Sequence, residues 1–261
     1  FYSDVYVNDA FGTAHRAHAS TAGMIKFFAA SDRGAGFLML REVEFLTKLV
    51  ERPEAPYVAV LGGAKVSDKI GVLEHLLGRA QTFLIGGAMA NTFLRAQGHD
   101  LGKSKLQEDK LKMAGGFLAK AQAAKAQVLL PDDLVVASGP DASDAQVVRA
   151  DAVPPGMMAL DIGPKTVAAF SDVIARARTL FWNGPMGMFE KPAFAKGTMG
   201  VAKAVAACAG TTVVGGGDPV AAVNDAGVAA RIRHICTGGG ASRAVVEGKV
   251  LPGIAALRQV G

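Results

Sequence analysis

The sequence predicts an α/β fold in which a parallel sheet carries helices on both faces. Two observations predict it. A short apolar run that ends in glycines and leads into a helical stretch recurs along the chain. Hydrophobic residues make up 50% of the 261 and charged residues 20%, the balance of a globular chain long enough to bury a substantial core. That length fits one large domain or two small ones.

The elements follow in order. Arg33–Glu51 reads as a helix, because Phe37, Leu38, Leu40, Val43, Leu46, Leu49 and Val50 recur near the helical period. Arg52-Pro53-Glu54-Ala55-Pro56 stops it. Tyr57–Leu61 then runs into Gly62-Gly63, and Thr82–Ile85 into Gly86-Gly87. Leu180–Trp182 runs into Asn183-Gly184-Pro185, Thr212–Val214 into Gly215-Gly216-Gly217, and His234–Cys236 into Thr237-Gly238-Gly239-Gly240. Val128–Leu130 and Leu134–Ala137 are further strand candidates, and Ala121–Ala126 closes a helix. The glycines fall where strands would meet the helices that follow them. In open α/β sheets that carboxyl edge is where ligands bind. Glycine lets the backbone come close to a ligand, and helix N-termini offer free N–H groups to anions. The repeated clusters point to an anion- or nucleotide-binding edge.

Other classes are disfavoured. The formal charge is +5, but Lys and Arg are scattered and form no run, which suits an anionic small molecule better than nucleic acid. The uncharged stretch Ala80–Leu94 is broken by Gly86-Gly87 and is too short to cross a membrane. No signal peptide is evident, so the cytoplasm is the expected location. Cys208 and Cys236 lack metal or redox spacing and read as reduced structural thiols. Gly98–Ser104 has three residues between its glycines, not the four of a Walker A loop. Gly240–Ala244 lacks the last glycine of a nucleophile elbow. No G-x-G-x-x-G follows a strand, which argues against a nicotinamide-dependent dehydrogenase. His15 and His18 share a helical spacing but have no evident third metal ligand.

Three places carry candidate chemistry. Lys65 and Lys69 stand four apart just after a glycine turn, with Ile70, Leu73 and Leu77 giving the next helix its apolar face. Cations are misplaced at a helix N-terminus, and like charges at this spacing repel. A bound polyanion would offset both; the alternative is a pair of solvated lysines with Asp68 between them. Asp218 reads as a helix N-cap with Pro219 at the first helical position, and beside a glycine nest it could also hold Mg²⁺. Asp161-Ile162-Gly163-Pro164 has the same helix-start grammar, and Gly163 could pass close to a base or sugar.

Several long segments then resemble one family. VNDAFGTAHRAHAS (Val7–Ser20), LGGAKVSDKI (Leu61–Ile70), WNGPMGMFE (Trp182–Glu190), GGGD (Gly215–Asp218), TGGGAS (Thr237–Ser242) and EGKVLPGIAAL (Glu247–Leu257) look like the signature segments of phosphoglycerate kinase, in family order. The resemblance implies a Rossmann-like three-layer nucleotide domain with a remnant of a second α/β domain. It implies reversible phosphoryl transfer from 1,3-bisphosphoglycerate to ADP, giving 3-phosphoglycerate and ATP, with Mg²⁺ and small-molecule substrates and no nucleic-acid or membrane partner. A monomer is expected. By motif position, Arg16 would hold the phosphoglycerate or the moving phosphoryl, and Lys65 would neutralise it. Lys69 would contact nucleotide phosphates, Asn183 the nucleotide and Glu190 its ribose. Gly216, Gly217, Asp218 and Pro219 would cradle phosphates and Mg²⁺, with Asp218 as the metal ligand. Gly238, Gly239 and Gly240 would offer amides to the phosphoryl in flight.

The sequence departs from the family pattern in two ways. Pro219 stands where the family usually has Ser or Thr, at the loss of a hydroxyl and an N–H. The opening FYSDVYVNDAF reads as the inside of a folded domain, and most of the family's basic phosphoglycerate cluster is missing. The expected organisation is therefore a remnant of the phosphoglycerate-binding domain at 1–33, an interdomain helix at 34–52, the nucleotide-binding domain at 53–240 and a tail at 241–261 that returns toward the hinge. Residues 1–33 and the tail are expected to expose apolar surface. The chain alone is expected to bind nucleotide with little turnover; the alternative is a non-catalytic nucleotide-binding module.

Overall fold

The computed structural model describes residues 3–258. In chain order the strands and helices are β1 (Tyr6–Asn8), β2 (Arg33–Ala35), α1 (Phe37–Glu51), β3 (Tyr57–Leu61), α2 (Ile70–Leu76), β4 (Thr82–Ile85), α3 (Gly87–Ala96), α4 (Leu111–Ala123), β5 (Gln127–Leu129) and β6 (Asp133–Ala137). They continue with β7 (Gln146–Arg149), β8 (Met158–Ile162), α5 (Pro164–Ala175), β9 (Thr179–Asn183), α6 (Lys196–Ala207), β10 (Thr211–Gly215), α7 (Gly217–Asp225), β11 (His234–Ile235), α8 (Gly239–Val246) and α9 (Pro252–Arg258). The chain divides into two compact units. The larger is Glu54–Ile235; the smaller takes the chain up to Pro53 together with the segment from Cys236 onward.

The larger unit is built on a six-stranded sheet of order β11-β10-β9-β3-β4-β5, parallel throughout. Its central strands β3 and β9 are buried at every position. That burial is why they are spelled as unbroken apolar runs: a parallel sheet covered on both faces has no solvent side to demand polar residues. Val58, Val60, Leu180, Trp182 and Val214 pack on one face with Phe170 and Ile174 of α5 and with Val201 and Val205 of α6. Elsewhere in the unit, Phe83 of β4 meets Phe117 of α4 edge-on, with ring centroids 5.4 Å apart, and Phe117 meets Phe93 of α3 at 6.1 Å.

A second sheet of order β7-β6-β8 is antiparallel, and the sequence reading did not anticipate it. Strand β7 is largely exposed and β8 carries Asp161, so neither shows the apolar run that marks the parallel strands. Leu94 of α3 and Leu101 join Leu134, Val136 and Ala159 in a separate small core. Pairing along β8 passes from Asp161 to Ala159 while β6 advances only from Val135 to Val136, which leaves Leu160 as the extra residue of a bulge.

The smaller unit holds the parallel pair β1-β2 with α1, α8 and α9. The expected helix at Arg33–Glu51 starts later. Arg33–Ala35 is strand, and the helix begins at Phe37 because Asp9 Oδ1 accepts from the amide of Met39 at 2.8 Å in its first turn. Gly36 makes room for this: a Cβ there would lie 2.3 Å from Asp9 Cγ. The unit has a core of Phe11, Ile25, Met39, Leu46 and Leu49, yet Val5, Val7, Phe27, Phe37, Leu40 and Val250 are exposed. Of these, Val5, Val7, Phe27 and Val250 lie in the two segments where apolar surface was expected, whereas Phe37 and Leu40 belong to α1.

Candidate functional site

Three turns meet at the carboxyl ends of β3, β4 and β9, and glycine is what lets them meet. Gly62 N donates to Asn183 O at 3.0 Å, Gly63 N to Pro185 O at 2.9 Å, and Gly87 N to Met186 O at 2.8 Å. A Cβ on Gly62 would lie 2.1 Å from Pro185 O, and one on Gly184 2.2 Å from Gly62 O. Gly184 also has φ +103°, a region that side chains disfavour. These glycines therefore admit one backbone to another, where the sequence suggested that they admit a ligand. Gly217 is different: a Cβ there would meet nothing within 4 Å, so the space over the N-terminus of α7 is open.

Over this edge lies a cavity of about 290 Å³, close to the size of a small-molecule site. Its wall takes Gly63 and Ala64 from the turn after β3, Gly87, Ala88 and Asn91 from α3, Ala159, Leu160 and Asp161 from β8, and Met186–Met188, Glu190 and Asp218. The β8 bulge helps to build it, since the freed Leu160 O accepts from Met188 N at 2.8 Å and holds the 184–190 turn against the strand.

The expected residues distribute as follows. Asn183, buried at the end of β9, accepts at Oδ1 from Lys69 Nζ and donates from Nδ2 to Gly215 O at 2.7 Å. It thus joins the Lys69 turn to the glycine turn after β10. Gly216 (φ +95°) is the N-cap of α7, and a Cβ there would come 3.1 Å from Asn183 Nδ2. The helix therefore starts earlier than expected: Gly217 is its first residue, Asp218 its second and Pro219 its third. Asp218 is not the cap, and Pro219 still falls among the first-turn positions whose N–H has no intrahelical partner, so proline costs the helix no bond. Lys69 is the N-cap of α2, preceded by a 3-10 turn at Val66–Asp68, and Lys65 is exposed before that turn. Glu190 is exposed at the cavity wall. Gly163 does not line the cavity. It is the N-cap of α5, and its missing side chain admits Asp133, whose Cγ would lie 2.2 Å from a Cβ. Asp133 accepts there from the amides of Lys165 and Thr166 at 3.0 and 2.8 Å.

Arg16, Gly238, Gly239 and Gly240 belong to the smaller unit. Arg16 is exposed. Gly239 opens α8, and a Cβ on Gly240 would lie 2.9 Å from His15 Nε2. Thr237, just before them, donates from N and Oγ1 to Glu42 Oε1 at 2.5 and 2.7 Å. His15 and His18 join no group of three candidate metal ligands among the described residues. Cys208 and Cys236 are free, and burial pushes the Cys236 thiol up to about 12, out of the reactive range.

The sequence reading missed Asp161 as a builder of the wall. Its carboxylate is buried and accepts from Gly197 N at 2.7 Å and from Ile162 N at 2.9 Å. Gly187 and Gly197 each approach it so closely that a Cβ would lie 2.2 Å from Oδ1. Burial outweighs the two N–H bonds and pushes its pKa up to about 7. A raised carboxyl pKa means that the folded chain keeps a proton the unfolded chain has lost. Stability is therefore expected to fall as pH rises from about 4 to about 7 and to level off above, by on the order of a few kcal/mol. Denaturant melts of Asp161→Asn against the parent chain across this range check it: the mutant lacks this contribution to the slope, whatever its constant offset.

Fold and cavity together define an α/β chain with a ligand-sized site on the carboxyl edge of its parallel sheet. The sequence profile described as phosphoglycerate kinase matches residues 2–249. The chain is 55% identical over 255 residues to the phosphoglycerate kinase of Anaeromyxobacter sp. (strain Fw109-5), covering 97% of this chain and 64% of that protein. It is 55% identical over 258 residues to that of Moorella thermoacetica, covering 98% of this chain and 65% of that protein. Among solved structures, phosphoglycerate kinase from Coxiella burnetii aligns with TM-score 0.92 at 43% identity, over 97% of this chain and 65% of that one. The enzyme from Pyrococcus horikoshii OT3 aligns with TM-score 0.84 at 35% identity, over 97% and 64%. The chain belongs to the phosphoglycerate kinase family, and it spans 64% of the length of the curated relative from strain Fw109-5.

Proposed function

We propose that the cavity of the larger unit binds ADP or ATP with Mg²⁺, and that the protein's reaction is reversible phosphoryl transfer from 1,3-bisphosphoglycerate to ADP. The observation that carries this reading is the linkage of Lys69, Asn183 and the Gly215–Gly217 turn beside a cavity whose wall includes the apolar side chains of Leu134, Leu160, Ile162 and Met186. A cation, an open helix N-terminus and an apolar slot are what a nucleotide needs: charge for the phosphates, N–H groups for their oxygens and a flat surface for the base. Asp218 is exposed at that helix start and offers a hard carboxylate oxygen, which suits a Mg²⁺ that keeps waters and phosphates as its other ligands. The ion would supply charge neutralisation on the phosphates. Lys69 would hold the phosphate tail, Lys65 would stabilise the transferred group and Glu190 would face the ribose.

Phosphoryl transfer asks for positioning and charge stabilisation, not for a covalent nucleophile. On the acceptor side this chain brings Arg16 and the Gly238–Gly240 amides. The segment up to Arg33 carries Arg16, Lys26 and Arg33 against Asp4, Asp9 and Asp32, so it has no net positive charge to hold phosphoglycerate. The 261-residue chain is therefore expected to bind nucleotide and turn over poorly. Calorimetry with Mg-ADP and a coupled ATP-forming assay test this pair of statements. No detectable binding refutes the first, and turnover in the ordinary range of kinases, about 1–100 s⁻¹, refutes the second.

A further inference from the structure

The cavity has a chemically distinct far end. Asp218 belongs to α7, which follows β10, whereas Asn91 belongs to α3, which follows β4. In the sheet order β10-β9-β3-β4 these strands stand three steps apart, roughly 14 Å at the usual strand spacing. Phosphates held near Lys69 and Gly217 therefore leave the base to lie among Asn91, Leu134, Ala159 and Leu160.

Asn91 is placed to do more than fill that end. Gly87 and Ala88 line the cavity, and Asn91 follows them at helical spacing on the same face of α3. Its residue is 1% exposed. Its Nδ2 donates to Lys105 O at 3.0 Å; a carbonyl can only accept, so this contact fixes which way the amide points. Among the described residues no donor pairs with Oδ1, and that atom is not fully enclosed. A buried carboxamide that lines the cavity, with its amide anchored and its acceptor unpaired, can take a donor from the ligand.

We propose that Asn91 is a specificity-determining residue that reads the six-position of a purine, favouring a 6-amino group over a 6-oxo group. The inference rests on the nucleotide reading above and names which base that site selects. The exocyclic amine of adenine donates to Oδ1. The oxygen of guanine or hypoxanthine would set acceptor against acceptor and leave the buried oxygen unpaired.

ADP and IDP differ at this position, so their dissociation constants with Mg²⁺ on the intact chain give the test. ADP is expected to bind about tenfold more tightly, the worth of one net hydrogen bond. Asn91→Ala is expected to bring the ratio near one by weakening ADP while leaving IDP almost unchanged. Asn91→Asp loses the donor to Lys105 O but keeps an acceptor, so it is expected to retain the preference for ADP, which a merely structural role would not do. Thermal melts confirm that each variant is folded, and the parent chain's own ratio decides the matter if Asn91→Ala is not. Equal binding by the parent, an unchanged ratio in Asn91→Ala, or a preference for IDP, which would hand the base to the Lys105 side chain, each overturns the proposal. Failure of both nucleotides to bind the parent is a different result: it removes the nucleotide reading and this inference with it.

Discussion

Replacing Gly184 with alanine is expected to destabilise the larger unit by about 3–5 kcal/mol and lower its thermal midpoint by roughly 10 °C. Two costs combine. Alanine at φ +103° is strained by itself, and its Cβ would fall 2.2 Å from the carbonyl oxygen of Gly62. The clash is with backbone, so no side chain can swing away. The shift would carry Gly62 and Gly63 with it, and through the Gly63–Pro185 and Gly87–Met186 bonds the whole junction of β3, β4 and β9. Gly217→Ala is the control, since it places a Cβ in open space and is expected to leave the melt within about 0.5 kcal/mol of the parent. Calorimetric or dichroism melts of the two variants make the comparison. Equal stability of Gly184→Ala and the parent would mean that the turns do not interlock as described.

Lys69→Met is expected to weaken Mg-ADP binding by about 10–100-fold, the range of a lost charge-assisted hydrogen bond to phosphate. The substitution also deprives buried Asn183 of the Nζ that now donates to its Oδ1. A secondary stability loss of about 1–3 kcal/mol is therefore expected even without ligand. Lys112→Met removes an exposed lysine from α4 and serves as the comparison for net charge. If both lysine variants bind Mg-ADP like the parent, Lys69 has no role at the phosphates.

How much of this was legible in the sequence varied by element, for physical reasons. Strands β3, β4, β9 and β10 announce themselves because burial on both sides leaves only apolar residues and a glycine stop. The sheet β7-β6-β8 does not. Its exposed strand is polar, and its antiparallel pairing joins segments that no local pattern connects. The bulge that frees Leu160 is a matter of register, which the chain sets only once β6 and β8 have met.

The site shows the same division. The turns around them singled out Lys69 and Asp218, whereas Asn183 and Glu190 were named only through the family resemblance; the structure sets Asn183 against Lys69 and places Glu190 and Asp218 in the cavity wall. Gly62, Gly87 and Gly184 were correctly located, but the structure gives them another reason, since each admits a neighbouring backbone. Asp161 and Asn91 were missed as site builders. A faint signal existed for each: a polar residue in an otherwise apolar stretch, ALDI for one and AMANTFL for the other. Burial of such a residue demands a partner, and only the fold shows that Asp161 has two amides and that Asn91 lines the cavity with its amide anchored on Lys105 O.

Hydrogen exchange of the parent chain with and without Mg-ADP tests the central claim most directly, because it reads location as well as binding. Slowed exchange is predicted for the turns around Gly63, Gly87, Met186–Met188 and Gly216–Asp218 and for Leu160. Nucleotide that binds but leaves those amides unprotected, or that protects the groove between Val43 of α1 and Ile254 of α9 instead, would contradict the site described here.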